Sequence, residues 1–301
     1  MRTIKENKIK IEIIGGIGNQ LFCFFAGLYY SQRFDKQLVV DFSQVGNGTI
    51  DHGSLITSLD GINNLQHKRN SLYKISKPSK IFLDALTRRS KKIQRIRFSL
   101  KNNYVSMNLG FDPFISENSK ISKLQGYFQT WRYFDGLKEP FSFNLKCPSK
   151  WYIELCQEIA SIDPTVIHVR RGDYHRPQNK MGLLSQKYYE QAIRHVQTKT
   201  TNPNFWIFSD DIIEAQTLLS EIASLNTRWI TPPQGSDPME SLLLMSMSQR
   251  IIIANSSYSW WAAKIGGPKD LVISPNPWFE NIEQPTDLIP HTWRSIKSDW
   301  I

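Results

Sequence analysis

Several short stretches of this chain combine residue types that could bind or move an anion. The densest is His168-Val169-Arg170-Arg171-Gly172-Asp173-Tyr174, followed by His175. Two adjacent guanidiniums offer permanent charge and planar donor forks, which suit a diphosphate. Asp173 could hold one arginine in place or accept a proton; a purely structural Arg–Asp pair is the other reading. The Arg-Gly-Asp triplet inside this stretch is too short to indicate an adhesion motif. Ser209-Asp210-Asp211 sets two carboxylates side by side. They could hold a divalent metal or ribose hydroxyls, or cap a following helix. Asn255-Ser256-Ser257-Tyr258 precedes Ser259-Trp260-Trp261-Ala262-Ala263. Small hydroxyl residues at a helix start leave backbone N–H groups for a phosphate, or simply cap that helix over buried tryptophans. Gly15-Gly16-Ile17-Gly18-Asn19-Gln20 lets a backbone approach a ligand closely, or makes a tight turn. It lacks the spacing and the later acidic residue of a dinucleotide fingerprint.

These stretches fall where strands should end. Lys10–Ile14 reads as a strand, Leu21–Arg33 as an apolar helix and Val39–Phe42 as a second strand, so the chain opens β-loop-α-β. From Ser149 onward, strands at 165–169, 205–208, 227–230, 250–254 and 271–274 alternate with helices at 149–160, 186–196, to about 222, 238–248 and 258–265. Ser185 is the expected cap of the second of these helices. That alternation predicts a doubly wound parallel sheet, which binds ligands at the carboxyl ends of its strands. The turn-rich stretch around Pro148 divides the chain into an N-terminal domain, 1–148, and a C-terminal domain, 149–301. The middle is less legible. Gly126–Phe134 is rich in aromatic residues, and Phe82, Leu86, Ile93, Ile96 and Leu100 recur at helical spacing.

With 301 residues, 40% hydrophobic and 21% charged, the chain is long enough for two folded domains and too apolar for disorder. No apolar run approaches a membrane span and the N-terminus lacks a leader's apolar core, so a cytoplasmic protein is expected. Cys23, Cys147 and Cys156 are odd in number and unpaired in spacing. They suggest reduced, mostly buried thiols rather than disulfides or a zinc site. The net charge of +10 is concentrated: Lys68–Lys101 holds twelve lysines and arginines against Asp84 alone. This amphipathic basic segment could meet the inner face of an anionic membrane, or present a solvated helix face. Nucleic-acid binding is not expected, because no recognition motif accompanies the charge.

Six stretches, in order along nearly the whole chain, carry a resemblance. They are G-G-I-G-N-Q-L-F at Gly15–Phe22, G-Y-F-Q-x-W-x-Y-F at Gly126–Phe134, H-V-R-R-G-D-Y at His168–Tyr174, S-D-D at Ser209–Asp211, L-M-S at Leu244–Ser246 and A-N-S-S-Y-S-W-W-A-A at Ala254–Ala263. The sequence resembles the bacterial α-1,2-fucosyltransferases of glycosyltransferase family 11. The resemblance implies an α/β, GT-B-like chain whose two Rossmann-like domains face each other across a cleft, with an N-terminal acceptor side. Its final segment could pack back on the N-terminal domain. It implies inverting, metal-independent transfer of L-fucose from GDP-fucose to the 2-hydroxyl of a galactose in an oligosaccharide acceptor, without a cofactor. Another GDP-sugar transferase, a different linkage and a non-catalytic glycan- or nucleotide-binding protein are the alternatives. By the same resemblance Arg170 contacts the donor β-phosphate. His168 lies near the nucleotide; Gly16, Gly18, Asp210, Asp211 and Asn255 belong to the donor site. Ser256, Ser257 and Tyr258 line the phosphates, and Asn19 approaches the reaction centre. Asp173, or else His175, is the expected base. The family's usual Asp before L-M is Ser241 here, and the neighbouring Glu240 is expected to hold guanine or ribose in its stead.

Overall fold

The computed structural model describes residues 7–45, 55–62, 66–67, 103–106, 108–172, 181–220 and 226–301. The stripe at Phe82–Leu100, the basic segment Lys68–Lys101, and Asp173 and His175 lie outside these residues. The chain divides into two compact units. Unit 1 comprises Met1–Asn144 with Pro285–Leu288, and unit 2 comprises Leu145–Gln284 with Ile289–Ile301.

Unit 1 is built on alternation. In β1 (Lys8–Glu12), Ile9 and Ile11 are fully buried, and Ile13 just beyond it is too. α1 (Ile17–Phe34) packs on this sheet. Gly27 is the point of closest approach, since a Cβ there would stand 2.8 Å from the Ile11 side chain. A larger residue would force helix and sheet apart. Phe24 and Phe25 on α1 meet Phe141 edge-to-face, with ring centroids 5.4 and 5.3 Å apart. β2 (Gln37–Asp41), β3 (Gln66–His67), β4 (Asn103–Val105) and β5 (Lys123–Gln125) complete a parallel sheet of order β3-β2-β1-β5-β4. Two short helices, α2 (Pro113–Glu117) and α3 (Trp131–Asp135), are capped by Asp112 and Thr130.

Unit 2 carries a six-stranded parallel sheet. Its strands are β6 (Thr165–Val169), β7 (Phe205–Ser209), β8 (Thr227–Trp229), β9 (Arg250–Ile252), β10 (Leu271–Asn276) and β11 (Arg294–Lys297). Their order is β11-β10-β9-β6-β7-β8. Within the unit this is the doubly wound order of a Rossmann-like sheet. β6 is buried at every residue, as a central parallel strand covered on both faces must be. The helices are α4 (Lys150–Ile162), α5 (Gln186–Gln197, capped by Ser185), α6 (Ile212–Leu218), α7 (Pro238–Ser246) and α8 (Ser257–Lys264).

Two Rossmann-like units make the chain α/β and GT-B-like, as expected. Two expectations need correction. Only Cys23 is buried; Cys147 is exposed and Cys156 partly covered, though all three are free. The first helix begins at Ile17 rather than Leu21, so Gly18, Asn19 and Gln20 are its first turn and not a loop. Among the described residues no helix is long and apolar enough to cross a membrane.

Candidate active site

Open parallel sheets bind ligands beyond the carboxyl ends of their strands, above all where successive connections leave in opposite directions. In unit 2 that place lies between β6 and β9. The chain leaving β6 is Arg170-Arg171-Gly172, and the chain leaving β9 is Asn255-Ser256-Ser257. Contact between the His168 and Tyr258 rings, 5.6 Å between centroids, joins the two.

Asp210, from the end of the neighbouring β7, organises the first of these segments. Its carboxylate takes an ion pair from Arg170 at 2.9 Å and a hydrogen bond from the Arg171 backbone N–H at 2.8 Å. Gly172 has to be glycine here, because a Cβ would stand 2.3 Å from an Asp210 oxygen. Asp210 therefore aims Arg170, the task the sequence suggested for Asp173. Asp211 caps α6, accepting from the Glu214 N–H at 3.0 Å. Both carboxylates of this pair thus have partners within the fold. Among the described residues no group of three or more His, Cys, Asp or Glu is arranged to hold a metal ion.

The two adjacent arginines are not equivalent. Arg171 is buried and donates to the Leu184 carbonyl at 2.7 Å, so it fastens the segment to the protein. Arg170 keeps about a quarter of its side chain exposed beside the switch point. His168 lies beneath it. Burial, with the Arg170 charge adding to it, pushes the imidazole down to about 3, so the ring is neutral. Its Nδ1 has no hydrogen-bond partner among the described residues.

α8 starts at the other side. Ser256 is its cap and accepts from the Tyr258 N–H. Trp260 and Trp261 are fully buried and set the helix from behind. Truncating either would cost about 3–5 kcal/mol. Tyr258 spends its hydroxyl on the Pro238 carbonyl at 2.6 Å, and burial holds its phenol protonated. Asn255 donates to the Met181 and Gly182 carbonyls at 3.1 and 3.0 Å, so its amide anchors the backbone there. Glu240 is buried, and both its oxygens accept from Ser149, from the N–H at 2.6 Å and the hydroxyl at 2.9 Å. That fixes the start of α4. The groups here whose charge suits an anion are one guanidinium and one helix N-terminus, on two sides of a switch point.

In unit 1 the adjacent parallel strands β1 and β5 bring two turns together at their carboxyl ends. Gly15, at φ +71°, turns the chain out of β1 into α1. A Cβ on it would stand 3.0 Å from the Asn19 side-chain nitrogen. Gln20 closes the turn by donating to the Gly15 carbonyl at 2.9 Å. Gly16 is the cap residue of α1 and Gly18 lies in its first turn. From β5 comes Gly126-Tyr127-Phe128-Gln129, and Gln129 donates to Asn19 Oδ1 at 2.9 Å. Sequence reasoning quoted Gln129 inside an aromatic-rich motif but gave it no role. β5 is three residues long, too short to be read as a strand, so its place beside β1 was hidden. The signal was present all the same: two glycine-containing turns in one domain, each carrying an amide.

The comparisons with known proteins agree with this geometry. An α-1,2-colitosyltransferase of Escherichia coli is 30% identical over 298 residues, covering 95% of this chain and 97% of that protein. The O-antigen biosynthesis glycosyltransferase WbnK, also of Escherichia coli, is 28% identical, covering 88% and 93%. A crystal structure of the fucosyltransferase NodZ from Bradyrhizobium superimposes with a TM-score of 0.50 at 14% identity, covering 86% of this chain and 92% of that one. At that identity the likeness concerns the fold alone. The model of glycosyl transferase family 11 matches residues 8–296, and the chain belongs to that family.

Proposed function

We propose that this glycosyltransferase moves L-fucose from GDP-fucose to the 2-hydroxyl of a galactose unit in a glycan, with inversion and without a metal. One observation carries the reading: Arg170, aimed by Asp210, and the N-terminus of α8 flank the switch point of unit 2. In the reaction the acceptor oxygen bonds to the anomeric carbon while the bond from that carbon to the β-phosphate oxygen breaks. GDP leaves with the electron pair. Negative charge grows on the β-phosphate, where a fixed guanidinium and helix N–H groups stabilise it. That charge is what a metal would otherwise supply. The acceptor's proton goes to a base, for which Asp173 and then His175 are proposed. His168, held neutral, serves as packing and polar support near the nucleotide. Unit 1 is assigned the acceptor. A cytoplasmic setting is supported by the three free cysteines.

A second reading has a specific observation in its favour. The 30% identity to a colitosyltransferase makes colitose, which is fucose without its 3-hydroxyl, the alternative sugar. Incubating the purified protein with GDP-fucose or GDP-colitose and a panel of galactosides, then analysing product linkages by mass spectrometry, separates the two. An α-1,2-fucosyl galactoside, formed in the presence of EDTA, is the expected product. Transfer from GDP-colitose alone would select the second reading, and no transfer from either donor would overturn both.

A further inference from the structure

Gln129 is set in place by several constraints that have no evident structural purpose of their own. Phe128 before it is fully buried yet has φ +53°, in the left-handed region that a bulky residue rarely enters. Gly126 has φ +154°. The Gln129 N–H donates to the Leu109 carbonyl at 2.6 Å, and the Thr130 N–H to the Phe128 carbonyl at 2.8 Å. Behind the turn, Thr130 Oγ1 and the Trp131 N–H both donate to the Asp287 carbonyl, so Pro285–Leu288 braces it. Backbone strain of this kind persists only where surrounding structure enforces it, and it concentrates at sites that must hold a side chain in one pose.

The pose leaves one polar end unused. Gln129 is 8% exposed, and its amide nitrogen is spent on Asn19. Its carbonyl oxygen, Oε1, is buried with no hydrogen-bond partner among the described residues. A buried acceptor without a donor is costly, so native structures rarely leave one. None of the described residues supplies the donor that would complete it. Its chemistry follows from the surroundings. Asn19, Gln20 and Gln129 are neutral amides, and the charged groups on the neighbouring strands and turn are paired, Lys123 with Glu12 at 2.9 Å and Arg132 with Asp287 at 3.0 Å. Tyr127, in the same turn, is 42% exposed and offers an aromatic face. Neutral donor–acceptor groups beside an aromatic ring suit a sugar hydroxyl rather than a phosphate or a cation.

We propose that Gln129 reads one hydroxyl of a bound sugar through Oε1, while its amide nitrogen fixes Asn19. This rests on the transfer reading above and adds a specificity residue to it. The hydroxyl could belong to the acceptor galactose or to the transferred sugar. The test uses two series of substrates, galactosides lacking one hydroxyl each and GDP-fucose analogues lacking one hydroxyl each. In the wild type, one missing hydroxyl is expected to lower kcat/KM about tenfold or more. In Gln129→Met, which keeps the length and loses the acceptor, that same analogue is expected to perform as well as the parent compound. Gln129→Glu retains an acceptor oxygen and is expected to retain the discrimination. The series in which the discrimination vanishes identifies the sugar being read. Unchanged discrimination in Gln129→Met across both series would overturn the proposal, as it would if only water completed Oε1. If Gln129→Met does not fold, the wild type decides: indifference to every missing hydroxyl in both series overturns it. Product formed normally by the wild type, with the same discrimination in Gln129→Met, sinks this inference and leaves the transfer reading intact.

Discussion

The two units solve the same topological problem with opposite chemistry. Each has a parallel sheet in which two adjacent strands deliver chain segments side by side at their carboxyl ends. In unit 2 the groups placed there are cationic: Arg170, steered by a carboxylate, and the start of α8. In unit 1 they are neutral: the Asn19–Gln129 amide pair over Gly15. A guanidinium and a helix N-terminus reward negative charge, whereas amides offer directed donors and acceptors without net charge. The difference supports the proposal that the diphosphate belongs to unit 2 and a hydroxyl-bearing sugar to unit 1. It also shows that a fold fixes where a site lies but not what the site prefers.

The comparison can be broken most sharply at Arg170. Arg170→Ala is expected to lower kcat by about 10²–10³-fold, the usual cost of removing one transition-state charge stabiliser. Arg170→Lys should also fail badly, because an ammonium lacks the two-pronged donor geometry. A Lys variant near the wild-type rate in steady-state assays would contradict the role. Next in size come Asp210→Asn and Gly172→Ala. The first removes the charge that aims Arg170, and the second pushes a methyl into the Asp210 oxygen. Each is expected to cost about tenfold in kcat/KM through misplacement alone, and a loss as large as that of Arg170→Ala would mean that Asp210 itself touches substrate. In unit 1, Gly15→Ala strains a positive φ and crowds Asn19. It should raise the acceptor KM severalfold and leave the donor KM unchanged, and kinetics with each substrate varied would show it.

A separate effect, on stability rather than rate, concerns His168. Its imidazole titrates near 6.5 when unfolded and near 3 in the fold, because burial disfavours the charge. The unfolded chain therefore binds the extra proton first. The fold has its full stability above pH 6.5 and loses part of it as the pH falls toward 3, by about 1.4 kcal/mol per unit at most. His168→Gln should flatten the slope of urea-unfolding stability between pH 4 and 6. An unchanged slope would show that His168 is not the proton acceptor of the unfolding transition.

Much of unit 2 was readable because its strands are continuous apolar runs separated by capped helices. Thr165–Val169 is the strand that was read, and Ser185 is the cap that was read. β11 escaped because Arg-Ser-Ile-Lys has no strand pattern; it pairs with β10 only through backbone register. In unit 1, β4 and β5 are each three residues long, and periodicity needs more than that to show. The site was legible as residue types and not as partners. Arg170 was marked, but its carboxylate partner comes from Asp210, forty residues downstream on the adjacent strand. Pairing between parallel strands is set by tertiary structure, so a local window could offer only Asp173. Glu240 is the complementary case: a carboxylate beside a motif looks free until its buried partner, Ser149, is seen.

The central claim is that charge recognition belongs to unit 2 alone. Calorimetric titration of GDP into the wild type, Arg170→Ala, Asn19→Ala and Gln129→Met tests it most directly. The expected result is at least about a tenfold loss of GDP affinity in Arg170→Ala, the step of one charge-assisted hydrogen bond. Affinities within twofold of wild type are expected for the two unit 1 variants. GDP affinity that survives Arg170→Ala but falls in Asn19→Ala or Gln129→Met would contradict the account.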